Sequence, residues 1–124
     1  MDRVLNTTKA LADGNRLRVV MALTDQEELC VCQITEMLGL ATATVSRHMS
    51  VLQKAGLVKS RKDSRWVHYR LSEAFPPLIL PWLKDGLLDS DHIAGDKEKM
   101  KAILACGLDG LCRMQRKNRG CNAS

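Results

Sequence analysis

The sequence predicts a mainly α-helical domain that includes one small β-hairpin. Apolar residues recur at three- and four-residue spacing up to position 56 and again after position 77, which is the period of helices buried on one face. Between positions 57 and 71 the pattern changes to the two-residue alternation of strands, around a polar turn. Two helices joined by a tight turn directly before this hairpin predict a winged helix-turn-helix (α+β).

The first two helices are predicted from short apolar stripes. Residues 1–12 are compatible with a short amphipathic helix, and a second helix is predicted over about residues 16–24. Residues 13–15, Asp-Gly-Asn, form a turn that can cap the second helix. Residues 25–28 are polar and are predicted to be a loop.

The helix pair is predicted over residues 32–40 and from Thr42 to Gly56. Gly39 stops the first helix, and Thr42 can cap the second. The apolar stripe of the second helix is Val45, Met49 and Leu52. The opposite face has side chains that can donate to phosphates and base edges, namely Thr44, Arg47, Ser50 and Lys54, with Ser46 and His48 on its flanks.

The hairpin after the helix pair is strongly basic. Five basic residues and one acidic residue lie between positions 57 and 71, so most of the formal net charge of +5 is in this stretch. The hairpin residues expected to contact phosphates are Arg61, Lys62 and Arg65. With only four aromatic residues in the chain, single-strand binding is not indicated, and double-stranded DNA is the predicted partner.

The C-terminal third is predicted to contain two further helices. Residues 77–88, interrupted at Pro81, are too apolar to stand free in water, so a second copy of the chain is expected to cover them. Residues 89–96 are predicted to be a polar linker, and residues 97–116 a helix. These patterns divide the chain into a DNA-binding domain, residues 1–89, and an extension, residues 90–124.

Two cysteines, Cys30 and Cys32, lie at the start of the helix pair. On a regular helix, side chains two residues apart point roughly 200° apart. Chelation of one small ion therefore requires both thiols to precede the helix or its first turn to unwind; the alternative is that both are small buried apolar side chains. Cys106 and Cys112 are further candidate ligands, although packing alone would also explain them.

The cysteine count and the absence of a long apolar run predict the cellular context. No run of apolar residues is long enough to span a bilayer, and residues 1–12 lack the apolar core of a signal peptide. A cytoplasmic protein without a membrane partner is expected, and in a reducing compartment five cysteines indicate ligands or free thiols.

Several separated motifs resemble one family of regulators. They are Ala10-Leu11-Ala12-Asp13, Asn15-Arg16-Leu17-Arg18, Glu28-Leu29-Cys30-Val31-Cys32, Val45-Ser46-Arg47-His48-Met49, Ala55-Gly56-Leu57-Val58 and Arg65-Trp66-Val67-His68-Tyr69-Arg70-Leu71. In this order they resemble the ArsR/SmtB family of metalloregulatory repressors, and most of all its arsenic-responsive branch.

The resemblance implies a homodimeric repressor that leaves operator DNA when As(III) or Sb(III) binds to cysteine thiolates, which derepresses resistance genes. No cofactor is implied for DNA binding itself. Cys30 and Cys32 match the first two thiols of the ligand motif of this branch. Thr35 stands where many members have a third thiol, and Gln33 stands where many have an acidic residue.

Three completions of the ligand set follow from this departure. In the first, two thiolates are enough to bind the ion. In the second, a C-terminal cysteine of the same or the other subunit is the third ligand. In the third, Cys106 and Cys112 form a separate site. Rival functions are a repressor of the same fold that responds to thiol oxidation, reactive sulfur, zinc or cadmium, and a thiol enzyme. An enzyme is not expected, because the chain has neither a Cys-x-x-Cys motif in a βαβ context nor a Gly-rich phosphate loop.

Overall fold

The computed structural model describes residues 1–107 of the chain. Its elements in chain order are α1 (Asp2–Leu11), α2 (Gly14–Asp25), β1 (Leu29–Cys30), α3 (Val31–Leu38), α4 (Thr42–Lys54), β2 (Val58–Asp63), β3 (Trp66–Leu71), α5 (Ile79–Gly86) and α6 (Asp91–Ala105). The predicted winged helix-turn-helix is confirmed, with α3 and α4 as the helix pair and β2–β3 as the wing. Among residues 1–107, no helix is long and apolar enough to cross a lipid bilayer.

The core lies where α2, α3 and α4 meet. Its side chains from these helices without solvent exposure are Val19, Val20, Ile34, Met37, Val45, Met49 and Leu52. The stripe predicted for the second helix of the pair is therefore its buried face. Burial of these side chains fixes the rotation of α4 about its own axis, which turns the opposite face outward.

The wing belongs to a three-stranded antiparallel sheet of order β1-β3-β2. The hairpin register runs from Val58 opposite Leu71 to Asp63 opposite Trp66, and Ser64 in the turn has a φ of 58°. The short strand β1 was not predicted. It pairs with β3 by placing Leu29 opposite Tyr69 and Cys30 opposite His68, so the segment with the thiols is part of the wing sheet.

Local side-chain hydrogen bonds set the boundaries of the helix pair and of α2. Asp13 caps α2 by accepting hydrogen bonds from the backbone N–H groups of Asn15 (2.9 Å) and Arg16 (3.1 Å), so the helix begins earlier than predicted. Gly39 ends α3 in the left-handed conformation, as predicted. The predicted cap at Thr42 is wrong: Thr42 is the first helical residue, and its buried hydroxyl has no hydrogen-bond partner within the described part of the chain.

The predicted linker over residues 89–96 is wrong for most of its length. Ser90 caps α6 by accepting a hydrogen bond from the N–H of Ile93 (3.4 Å), and the helix starts at Asp91. The polar residues that suggested a linker lie mainly on the exposed face, while Ile93, Met100 and Ile103 are buried against α2 and α3. The helix ends at Ala105, and the predicted continuation beyond residue 107 lies outside the described residues.

A buried ion pair holds α6 against the domain. The Asp96 carboxylate, 8% exposed, accepts hydrogen bonds from Nε and Nη2 of Arg18, each at 2.8 Å. The same guanidinium donates to the side chain of Asn15 (3.0 Å) and to the carbonyl oxygen of Met37 (3.4 Å). The hydrogen bonds to Asp96 raise the pKa of Arg18. One arginine thus joins α2, α3 and α6.

Asp96→Ala is expected to lower the free energy of unfolding by about 2 kcal/mol, because it leaves the Arg18 guanidinium without its carboxylate. A fully buried pair would cost more, but the Arg18 side chain is 21% exposed. Urea unfolding measures the difference. Glu98→Ala on the exposed face of α6 is the control and should change the value by less than about 0.5 kcal/mol. Equal losses in the two variants would show that the ion pair does not hold α6.

Candidate nucleic-acid interface and thiol site

The second helix of the pair, α4, presents a polar face to solvent. Ser46, Arg47 and Lys54 are exposed, and Thr44, His48 and Ser50 are half-buried. The turn at residues 39–41 brings α4 directly after α3, the arrangement in which a second helix enters the major groove of DNA. All six predicted α4 residues therefore lie on or beside one accessible face.

His48 is oriented by a residue that the sequence analysis did not assign to the site. Arg16, at the start of α2, has its Nη1 atom 3.1 Å from Nδ1 of His48, and its Nε donates to the carbonyl oxygen of Ala10 at 2.7 Å. Because a guanidinium only donates, Nδ1 of His48 accepts, and the neutral ring has its proton on Nε2. Nε2 is then the ring donor that remains for a partner.

The wing has fewer unpaired charges than its composition suggests. Lys59 and Arg70 both pair with Glu73, and Arg61 pairs with Glu28. Hydrogen bonds from Lys59 and then Arg70 lower the pKa of Glu73 to about 2, so this carboxylate is ionised at neutral pH. Three of the five basic side chains counted in the sequence are therefore partly neutralised within the wing.

Two exposed basic residues, Lys62 and Arg65, lie at the tip of the wing. The Arg65 guanidinium carbon lies 4.8 Å from the centre of the Trp66 ring, which orients it by a cation–π contact. Trp66 and Tyr69 are half-buried. Lys62 and Arg65 are the wing residues best placed to reach phosphates, whereas Arg61 is directed toward Glu28.

The two thiols at the helix pair occupy different kinds of backbone. Cys30 ends β1 with extended backbone (φ −72°, ψ 150°), directly precedes α3, and has no solvent exposure. Its N–H donates to Oε1 of Gln33 at 2.8 Å, which caps the helix. Cys32 lies in the first turn of α3 and is half-buried. Only the first thiol precedes the helix, so joint chelation still requires the first turn to change.

The remaining candidate ligands, Cys106 and Cys112, are far from Cys30 and Cys32 in the sequence. Thr35, at the position of a third thiol, is buried and donates to the carbonyl oxygen of Val31 at 2.7 Å. Cys30 and Cys106 are free thiols, Cys106 being exposed at the end of α6, whereas Cys32 is disulfide-bonded. Cys112 lies outside the described residues. Within residues 1–107, no three His, Cys, Asp or Glu side chains are grouped so as to hold a metal ion.

Comparison with known proteins places the chain in a family. The sequence profile of the bacterial regulatory proteins of the arsR family matches residues 13–60. The arsenic resistance transcriptional regulator ArsR2 of Pseudomonas putida is 34% identical over 94 residues, which cover 75% of this chain and 82% of ArsR2. This chain belongs to the ArsR family. The predicted resemblance is thereby confirmed.

Other ArsR-family relatives match over shorter segments. ArsR1 of P. putida, also an arsenic resistance regulator, is 37% identical over 68% of this chain and 65% of its own length. The cadmium resistance regulatory protein CadC of Listeria innocua is 46% identical over 49% of this chain and 51% of its own length. The chain thus spans less than two thirds of the length of these two relatives.

Solved structures share the winged helix-turn-helix of this ArsR-family chain. Reduced HlyU from Vibrio cholerae has a TM-score of 0.61 at 27% identity and covers 73% of this chain and 90% of HlyU. The antimony-specific repressor AntR has a TM-score of 0.58 at 28% identity, covering 68% of this chain and 74% of AntR. The homodimeric DNA-binding domain of Mb0332 from Mycobacterium bovis has a TM-score of 0.57 at 28% identity, covering 73% and 80%.

Proposed function

We propose that this protein is a homodimeric repressor that binds operator DNA and is released when As(III) or Sb(III) binds to cysteine thiolates. The observation that carries the proposal is the position of Cys30, which is at once the last residue of β1 in the wing sheet and the residue that precedes α3 of the helix pair. The arsenic and antimony regulators among its relatives support the choice of inducer.

In this proposal α4 contacts base edges and the tip of the wing contacts phosphates. The α4 residues are Thr44, Ser46, Arg47, His48, Ser50 and Lys54. The wing residues are Lys62 and Arg65. A symmetric dimer places two α4 helices about one turn of DNA apart, so the operator is expected to be a pseudo-palindrome.

An apolar face formed by α1 and α5 supports the dimer. Leu78 is 85% exposed and Trp82 is 71% exposed, and Val4 and Leu5 of α1 are exposed as well. A cavity of about 360 Å³ lies between α1 and the segment that leads into α5, and its lining includes Val4, Pro77 and Ile79. Exposed apolar side chains in such a group mark an interface, and a second copy of the chain is the occupant proposed here.

Burial of Cys30 explains how ligand binding would release DNA. Because its sulfur has no contact with solvent, a metalloid reaches it only if β1 or the first turn of α3 moves. Both segments are attached to DNA-binding elements, β1 to the wing and α3 to α4. A hundredfold loss of DNA affinity requires a coupling of about 2.7 kcal/mol, and by linkage DNA weakens metalloid binding by the same factor.

The third ligand is proposed to come from the C-terminal part. Thr35 replaces the third thiol, and Cys106 and Cys112 follow the start of α6, which packs against α3. A pair of thiolates without a third ligand, or a separate site at Cys106 and Cys112, are the alternatives. Soft sulfur ligands select soft ions in each case.

The proposal is tested by adding arsenite to the reduced protein bound to a labelled DNA fragment from upstream of its own gene. Fluorescence anisotropy follows the release of DNA. We expect release by the wild-type protein, and loss of release in Cys106→Ser or Cys112→Ser if that residue is the third ligand. Retained release in Cys106→Ser, Cys112→Ser and Cys121→Ser would leave two thiolates as the site. DNA binding that arsenite does not reverse would refute the inducer.

A redox-responsive repressor is the second candidate, and the disulfide at Cys32 favours it. In this mechanism oxidation of thiols, instead of ligation, shifts the first turn of α3. Peroxide should then release DNA, dithiothreitol should restore binding, and arsenite should not be taken up stoichiometrically. A cadmium-responsive repressor, as the name of CadC suggests, predicts release by Cd²⁺ at concentrations at which arsenite has no effect.

Arg47→Ala and Arg65→Ala are expected to weaken DNA binding in different ways. Arg47 is exposed on α4, so its loss should cost about 1–3 kcal/mol of discrimination between operator and unrelated DNA. Loss of Arg65, at the wing tip, should weaken binding to all DNA sequences equally and lower the slope of log affinity against log salt by about 1. Anisotropy titrations at several salt concentrations measure both quantities. Equal loss of discrimination in the two variants would contradict this division.

A further inference from the structure

A side-chain pair ties the segment before Cys30 to the outer strand of the wing. Glu28 directly precedes β1, and its carboxylate accepts two hydrogen bonds from Arg61 on β2, from Nε at 2.8 Å and from Nη2 at 2.6 Å. Strand β3 lies between β1 and β2. The pair therefore spans the whole width of the sheet and joins two strands that do not touch through their backbones.

The pair and the first thiol lie on the same face of this sheet. Arg61 is opposite His68 in the hairpin, and His68 is opposite Cys30 in the pairing of β1 with β3. Residues directly opposite each other in antiparallel strands place their side chains on one face. Glu28, two residues before Cys30, belongs to that face as well, and its Oε1 lies 3.6 Å from Nδ1 of His68. Arg61, His68 and Cys30 thus form a row across the sheet, and the Glu28 carboxylate contacts the first two of them.

Movement of the thiol segment must change this contact. Strand β1 has two residues, and Cys30 is fully buried, so access to its sulfur displaces β1 or the first turn of α3. Glu28 directly precedes Leu29, the first residue of β1, whereas Arg61 lies on β2 of the hairpin. A displacement of β1 relative to the hairpin therefore lengthens or breaks the hydrogen bonds between the carboxylate and the guanidinium.

The ion pair between Glu28 and Arg61 is weak enough to open without unfolding the domain. The Glu28 side chain is 24% exposed and that of Arg61 is 54% exposed, and ion pairs with such exposure add little to stability. Two parallel hydrogen bonds still fix the direction of the guanidinium. Removal of the pair should redirect the wing without unfolding the domain.

We propose that Glu28 and Arg61 are positioning residues that transmit the state of the thiol segment to the wing. This inference rests on the proposed function. In the inducer-free protein the pair holds the hairpin in the orientation that fits DNA. When β1 is displaced by ligand binding, the pair opens and the wing loses that orientation. Arg61, which the sequence assigns to phosphate contact, then acts through Glu28.

The test compares Glu28→Gln with the wild-type protein. The release factor is the Kd for the upstream DNA fragment with arsenite divided by the Kd without it, both measured by anisotropy on reduced protein. Glu28→Gln keeps the shape of the side chain and removes its charge, and it should lower the release factor at least about fivefold. The arsenic bound per subunit should stay unchanged. Arg61→Gln should have the same effect, and the double variant should show no further loss.

Glu73→Gln is the matched control. Glu73 lies two residues beyond the end of β3 and pairs with Lys59 and Arg70, so this variant removes an equal charge that also pairs with the hairpin. Its release factor should stay within about twofold of wild type. An unchanged release factor in Glu28→Gln, an equal loss in Glu73→Gln, or loss of arsenic binding in Glu28→Gln would overturn the proposal while the proposed function stands. If arsenite fails to release the wild-type protein, both fall together.

Discussion

Trp82→Glu is expected to convert the protein to a monomer and to weaken operator binding at least about a hundredfold. Two linked DNA-binding domains gain about 10²–10⁴ in avidity over one. Trp82 is 71% exposed in the single chain, so the substitution removes no core contact and the fold should persist. A carboxylate at the centre of an apolar interface would be buried without a partner in the dimer, which disfavours association. Analytical ultracentrifugation and DNA anisotropy measure the two effects.

Two further variants serve as controls for Trp82→Glu. Trp82→Phe keeps an apolar aromatic side chain and should remain dimeric, with DNA affinity close to wild type. Lys84→Glu changes the charge of an exposed residue on the same helix and tests whether charge alone weakens DNA binding. A Trp82→Glu protein that stays dimeric would show that the α1–α5 face is not the interface. A monomer that binds the operator with wild-type affinity would refute recognition by a dimer.

Cys30→Ser is expected to abolish arsenite-dependent release, which reduces a release factor of about a hundred to within about twofold of one. A serine hydroxyl does not replace a thiolate as a soft ligand, so the site loses the residue that joins β1 to α3. DNA binding without arsenite should change little, because Cys30 does not belong to the α4 face or the wing tip. The measurement is the anisotropy titration with reduced protein.

The fully buried position of Cys30 calls for a second variant. A serine hydroxyl without a partner there costs about 1–3 kcal/mol, so urea unfolding must accompany the titration. Cys30→Ala removes the ligand without introducing a polar group and should lose release equally. Normal release by a folded Cys30→Ala protein would exclude Cys30 as a ligand.

The periodicity of apolar residues predicts those helices and strands that are buried on one face and are long enough to show a repeat. The stripe Val45, Met49 and Leu52 is buried as expected, and the alternation over residues 66–71 forms β3. Strand β1 has two residues, too few to show an alternation, and it forms because β3 offers a free edge. The start of α6 was missed because Asp96 appears polar in sequence, although its carboxylate is buried by pairing with Arg18.

The site could be predicted by residue type but not by contact. The run of basic residues along the hairpin predicts that Arg61 contacts phosphates, but its partner Glu28 is 33 residues away in sequence. Arg16 orients His48 across a separation of 32 residues, which spacing rules do not register. The Thr35 departure could be identified from the sequence, and the structure adds that its hydroxyl is committed to the backbone of α3.

The central claim is that metalloid ligation, and not another change of the thiols, releases DNA. The most direct measurement titrates arsenite into reduced wild-type protein on labelled operator while bound arsenic and remaining free thiols are counted in the same samples. We predict that DNA release follows bound arsenic and is complete at one arsenic per subunit, and that a phosphine reductant, which prevents disulfides but carries no thiol, leaves the curve unchanged. Release without bound arsenic, or full occupancy by arsenic with the DNA still bound, would contradict the account.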